Sequence, residues 1–137
     1  MSINTEYLIK CIATLERSYS LIKTVEEGTI DYEMYRNSLV KSFEMALEQA
    51  GKLLKKKITP YFASKADVDK LTFKDIFRHA YKHSLINEEQ VNRWFKYRDN
   101  RNNTAHDYGK AFAEETLKLI DTFIEDTNEL KKVIENE

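Results

Sequence analysis

The stretch Tyr32-Glu-Met-Tyr-Arg-Asn-Ser-Leu-Val-Lys-Ser-Phe-Glu-Met-Ala-Leu-Glu-Gln-Ala-Gly-Lys-Leu-Leu-Lys-Lys-Lys57 reads as one long amphipathic helix. Leu39, Phe43, Ala46, Leu47, Ala50, Leu53 and Leu54 fall at helical spacings and line one face, and no period-two alternation competes. Asp31 or Thr29 can cap its start. Lys55, Lys56 and Lys57 close it, where cations suit the negative end of the helix dipole; a phosphate clamp is the competing role. Gly51 costs roughly 1 kcal/mol relative to Ala inside a helix. A close helix crossing would explain that cost, and so would simple tolerance of it.

Outward from this helix the same period recurs. Ile3, Tyr7, Leu8, Cys11, Ile12, Leu15, Ile22 and Val25 predict a helix over residues 3–26, ended by Gly28. Cys11 on that stripe is a core residue. The short link Thr29-Ile30-Asp31 makes the first two helices an antiparallel hairpin. Residues 58–70, with Pro60, read as a loop. Thr72 and Asp75 form a capping pair opening a short helix to about His83, with Phe73, Ile76, Phe77 and Ala80 inward. Asn87 with Gln90 opens another short helix carrying Val91, Trp94, Phe95 and Tyr97, Trp94 being its core anchor. A last helix runs from a polar insert to about Ile134, with Phe112, Leu119, Ile120, Phe123, Ile124, Leu130 and Val133 as its stripe.

Composition agrees. Three Gly and one Pro in 137 residues leave few turn formers, so the class is all-α and the length suits a single domain, 1–137. One cysteine excludes an internal disulfide and a Cys-rich zinc site, which makes the cytoplasm the expected compartment. Met1–Lys10 has no long apolar run and is no secretory signal, and no segment reaches the roughly 18–20 apolar residues of a membrane span. The net charge of −1 is unevenly spread: residues 1–50 carry −3, residues 51–101 carry +7 and residues 102–137 carry −5. A basic middle third attracts phosphates if its charges share a face. Mixed in three dimensions, the same charges are only a solvated helical surface.

The polar insert Arg98-Asp99-Asn100-Arg101-Asn102-Asn103-Thr104-Ala105-His106-Asp107-Tyr108 is the candidate site. Arg and His five apart are not informative alone, since Arg78 and His83 repeat the spacing. In a regular helix five residues turn about 500°, which points the two side chains apart. Arg78 and His83 lie in an unbroken helical pattern and read as structural or surface residues. Between Arg101 and His106, however, Asn102, Asn103 and Thr104 are helix-poor, so the backbone can bend and bring the ends together. Alternatively the helix continues and the groups converge across a two-fold axis. The plainer reading is a helix cap.

His79 and His83 stand at i, i+4 but lack an obvious third metal ligand. There is also no Gly-rich phosphate loop, so no cofactor is expected and the available chemistry is metal-free acid–base work. A histidine can take the proton of an RNA 2′-hydroxyl, which then attacks the adjacent phosphate. A guanidinium can hold the charge that develops on the phosphorane. A symmetry-related His106 or Tyr108 can protonate the leaving 5′-oxygen.

At these residues the sequence resembles the HEPN superfamily, closest to its HepT-like branch, the nucleotidyltransferase substrate-binding protein family. The signature Arg-x4-His-x-Tyr stands here complete as Arg101-Asn-Asn-Thr-Ala-His106-Asp-Tyr108. Arg36–Ala50 resembles the family's second helix, and Phe73–Ala80 with Leu85, Ile86 and Trp94 resembles the segment leading into its motif. The resemblance implies an up-and-down bundle of four to five helices, dimerised so that two motifs line one cleft. It implies a metal-independent ribonuclease toxin of a toxin–antitoxin pair with Arg101 and His106 catalytic. Its partner would be a minimal nucleotidyltransferase antitoxin that places AMP on Tyr108. Asn102 and Thr104 would support the motif, and Arg98 and Lys96 are phosphate-contact candidates. Glu44 and Glu48 are possible orienting carboxylates. The family's older name implies instead a non-catalytic subunit presenting substrate to a nucleotidyltransferase.

Overall fold

A computed structural model describes residues 2–104 and 110–136; of residues 102–104 and 110–113 only the backbone is described. Among the described residues the chain is all-helical. Its elements are α1 (Glu6–Ile22), α2 (Ile30–Ile58), α3 (Lys65–Asp69), α4 (Phe73–Lys82), α5 (Glu88–Thr104) and α6 (Lys110–Glu135). The long α2 is the central post. α1 lies along it as the expected hairpin, α4 and α6 pack on its other sides, and α5 sits between α4 and α6.

The expected faces of α2 are the buried ones: Leu39, Phe43, Ala46, Leu47, Ala50 and Leu54 are all at most 1% exposed. Thr29 is the cap, its hydroxyl accepting from the Tyr32 amide. Against this post packs an aromatic cluster of Phe43, Phe77, Trp94, Tyr97 and Phe123. Trp94 stacks on Phe77 at 4.9 Å between centroids and meets Tyr97 and Phe123 edge-on. Such pairs contribute about 0.5–1.5 kcal/mol each beyond area burial. Cys11 is buried as expected, and burial pushes its thiol up from the ordinary value, so it is a poor nucleophile.

Several expectations need correction. α1 ends at Ile22, six residues before Gly28, because the Thr24 hydroxyl takes the Leu21 carbonyl and competes with further helix. Gly28 keeps its positive φ of 86° but serves the link into α2. Tyr7 lies off the stripe and is 47% exposed, while Ser18 is buried in its place and shares a hydrogen bond with Ser38 of α2. On α6, Ile134 rather than Val133 is buried. Residues 58–70 are not a plain loop. A 3-10 turn over Thr59–Tyr61 precedes α3, which Ser64 caps by accepting from the Asp67 amide. That extra element brings the helix count to six among the described residues, where four to five were expected.

The capping pairs form as read. Thr72 and Asp75 make a reciprocal capping box, and Asn87 and Gln90 exchange hydrogen bonds at 2.8 Å. α4 closes in a Schellman turn: the Leu85 amide reaches the Ala80 carbonyl and the Ser84 amide that of Tyr81, with Ser84 at φ 62°.

Gly51 marks a close helix crossing. A Cβ there would stand 2.9 Å from two ring carbons of Phe73 at the start of α4. Gly51→Ala should therefore destabilise by about 1 kcal/mol net, since overpacking of roughly 1–3 kcal/mol outweighs the helix-propensity gain. In a Phe73→Leu background the same change should be neutral or stabilising in chemical denaturation. Equal ΔΔG values in both backgrounds would remove the crossing as the reason for the glycine.

Candidate functional site

α5 is longer than expected and stays helical from Glu88 through Arg101 to Thr104, so the backbone bend is not found within 101–104. Arg93, Tyr97 and Asn100, spaced four and three apart, face α6 together. Arg93 donates two hydrogen bonds to Asp126, Nε to Oδ2 at 2.7 Å and Nη2 to Oδ1 at 2.8 Å. The Tyr97 hydroxyl donates to the same carboxylate at 2.5 Å. One turn on, the Asn100 amide donates to the hydroxyl of Thr116, which is fully buried. Burial, then the Asp126 bond, raises the Tyr97 phenol above its ordinary value, and Asp126 holds Arg93 protonated. This network pins α5 to α6 up to the residue before Arg101.

Arg101 stands seven residues after Trp94, nearly the same azimuth two turns later. It thus continues the core-facing side of α5 where the apolar stripe runs out. Its Nε lies 3.6 Å from Oε2 of Glu44 on α2, with the two side chains 30% and 14% exposed. Of the two carboxylates raised for α2, Glu44 meets the motif arginine and Glu48 is exposed. The planar guanidinium suits bidentate contact with a phosphate, and a carboxylate beside it fixes its direction.

The remaining candidates separate. Arg98 is half-buried with its guanidinium 5.0 Å above the Phe73 ring, and it lies near Arg101 in azimuth. Lys96 is exposed, about 140° around α5 from Arg101, on another face. Asn102 and Thr104 lie in the last turn of α5, with their side chains outside the described residues. The expectations for His106 and Tyr108 also fall outside the described residues. At the second Arg–His spacing, Arg78 pairs with Asp75 at 2.9 Å and covers Phe95, while His83 stacks flat on Tyr61 at 3.8 Å. His79 meets Phe62 edge-on. These are packing roles.

Sequence reasoning missed Asn100 and Asp126. Arg93, Tyr97 and Asn100 do share a helical face, which was the available signal. The acid and hydroxyl they meet, however, look like ordinary surface positions of α6.

The described chain is thus an all-α bundle in which α5 carries the motif arginine to the end of the core. The chain belongs to the family described as nucleotidyltransferase substrate binding protein like, whose pattern matches residues 4–136. Over 85 residues, 62% of this chain, it is 32% identical to a Haemophilus influenzae protein described as probable ribonuclease HepT. The match spans 57% of that relative's length. Its fold resembles a Haemophilus influenzae structure described as the substrate binding domain of a nucleotidyltransferase, with TM-score 0.81 and 24% identity over 97% of this chain and all of that one. It also resembles a structure described as a tri-AMPylated Shewanella oneidensis HEPN toxin in complex with MNT antitoxin. There the TM-score is 0.66 and the identity 18%, over 98% of this chain and all of that one. Among the described residues no helix is long and apolar enough to cross a membrane.

Proposed function

We propose that this chain is a HepT-like toxin, an endoribonuclease that works as a homodimer and is neutralised by a minimal nucleotidyltransferase. The observation that carries the reading is the motif arginine at the end of a pinned helix, oriented by Glu44 rather than spent as a surface charge. In this reading His106 takes the 2′-hydroxyl proton, and the oxygen attacks the neighbouring phosphorus. Arg101 holds the added negative charge on the phosphorane. The P–O5′ bond then breaks, and a proton from the second protomer's His106 or from Tyr108 completes the 5′-hydroxyl, leaving a 2′,3′-cyclic phosphate. The need for a 2′-hydroxyl makes RNA, and not DNA, the substrate. Transfer of AMP to the Tyr108 oxygen, with loss of pyrophosphate from ATP, would fill the cleft with an anion that repels RNA phosphates.

Expression without the partner should arrest growth, and His106→Ala should relieve the arrest. Co-expression should restore growth and leave an AMP increment on the peptide bearing Tyr108. Equal toxicity of His106→Ala would sink the catalytic reading. The family name and the likeness to a nucleotidyltransferase's substrate binding domain favour a second reading, a non-catalytic subunit. That reading predicts a stable complex and no RNA cleavage.

A further inference from the structure

We propose that the groove between α1, α2 and α3 is a second RNA contact, a track for phosphates beside the scissile one. The groove encloses about 790 Å³ and is lined by Tyr7 of α1, Lys52, Lys55 and Lys56 of α2, and Lys65 and Asp69 of α3. Four ammonium groups and one carboxylate give it a net charge of +3.

Local structure explains some of these lysines and not others. Lys55 is tied to Asp69 at 2.8 Å, holding α3 against α2, and that bond with the nearby Lys65 lowers the Asp69 carboxyl from its ordinary value. Lys57, the neighbour in the lysine run, points elsewhere and donates to the Asn136 carbonyl. The helix dipole favours cations in the last turn of α2. It does not account for Lys52, which lies further back, and it opposes Lys65 at the first residue of α3. Lys52, Lys56 and Lys65 are exposed and make no ion pair with a carboxylate of the described residues. Three such cations on one concave surface attract a polyanion.

The position fits an RNA that also reaches Arg101. Lys52 lies eight residues from Glu44, about 12 Å along α2 and about 80° around it, so a strand leaving Arg101 must wrap part of the way round that helix to reach the groove. A strand with one phosphate at Arg101 can lay phosphates a few nucleotides away on these lysines. Contact of this kind adds affinity and salt dependence without reading sequence. The choice of RNA as ligand rests on the ribonuclease reading.

The test uses the full chain carrying His106→Ala, so that RNA stays intact, and a short fluorescein-labelled single-stranded RNA read by anisotropy. Lys52→Gln, Lys56→Gln and Lys65→Gln together should weaken binding on the order of 10–100-fold at roughly 50 mM salt. They should also flatten the slope of log Kd against log salt by about two, from about 0.7 per phosphate on a single strand. The comparison variant Lys118→Gln/Lys132→Gln, altering two α6 lysines paired with Glu115 and Glu129, should leave both quantities unchanged. Unchanged affinity and slope in the triple variant would overturn the track. So would unchanged RNA binding with loss of the co-expressed nucleotidyltransferase, which would make the groove a protein interface. If the native chain cleaves no RNA while binding still depends on these lysines, the ribonuclease reading fails and the track stands.

Discussion

On the proposed ribonuclease mechanism, Arg101→Ala should lower RNA cleavage by about 10²–10³-fold, roughly 2.7–4 kcal/mol of lost transition-state stabilisation, with the loss mainly in kcat. The guanidinium is placed by two independent constraints. α5 is pinned to α6 through Arg93, Tyr97 and Asn100, and the side chain itself is steered by Glu44. In the proposed ribonuclease, a guanidinium placed this way would meet charge that develops during reaction with little reorganisation. Arg101→Lys should recover only a small part of the activity, since an ammonium lacks the planar fork. Glu44→Gln should cost less, about 10-fold, because it keeps an oxygen beside Arg101 and loses only the charge that orients it. Arg101 is about a third exposed, so its removal should shift the melting temperature by only a few degrees. Native cleavage by Arg101→Ala would remove Arg101 from the mechanism and leave its ion pair a matter of packing.

Much of this arrangement is legible in the chain. The α2 stripe from Leu39 to Leu54 stands out because its period is long and uninterrupted. The Thr72/Asp75 and Asn87/Gln90 pairs are legible because capping acts between residues three apart. The misses share a different physics. The end of α1 depends on a hydroxyl competing for one carbonyl, a contest that Gly28, six residues on, conceals. α3 is only five residues long and rests on the Lys55–Asp69 pair, which spans fourteen positions. The run of α5 through Asn100 defies local propensity because α6 supplies a partner, the Thr116 hydroxyl, for its amide.

The site divides in the same way. Arg101 stands out in the chain through the resemblance of Arg-x4-His-x-Tyr to a family motif, and its contact with α2 is what the structure adds. That Glu44 and not Glu48 meets it is invisible, since the two differ by only about 40° around α2. Which of them faces Arg101 is settled by the packing of α5, not by any local pattern. Asp126 is a carboxylate amid Glu125 and Glu129, and nothing local separates a buried acid from its solvated neighbours.

Asp126→Ala will be the most destabilising single polar substitution in the bundle, at about 3 kcal/mol, or roughly 10 °C in melting temperature for a chain this size. The Asp126 side chain is 5% exposed and receives three hydrogen bonds. Removing it takes away the acceptor of the Tyr97 hydroxyl, which is 1% exposed and keeps only the Thr122 side chain as a polar neighbour; an unmet buried donor costs about 1–3 kcal/mol. Arg93 suffers less, because at 36% exposure its guanidinium can turn to solvent. Asp126→Asn should fall between, as one amide oxygen still accepts from Tyr97. The triple change Arg93→Met, Tyr97→Phe and Asp126→Leu should return stability close to native, since replacing all partners together leaves nothing unpaired.

Alkaline titration gives an independent check. The Tyr97 phenol is raised in the fold, so its contribution is complete below the unfolded value near pH ~10 and is lost as pH climbs towards the folded value. Stability should fall there by up to about 1.36 kcal/mol per pH unit on this account, and Tyr97→Phe should make the fall shallower. A melting temperature for Asp126→Ala within two or three degrees of native would show that α5 is held by its apolar face alone. Arg101 would then owe its position to Trp94 and the core, and not to the polar network that precedes it.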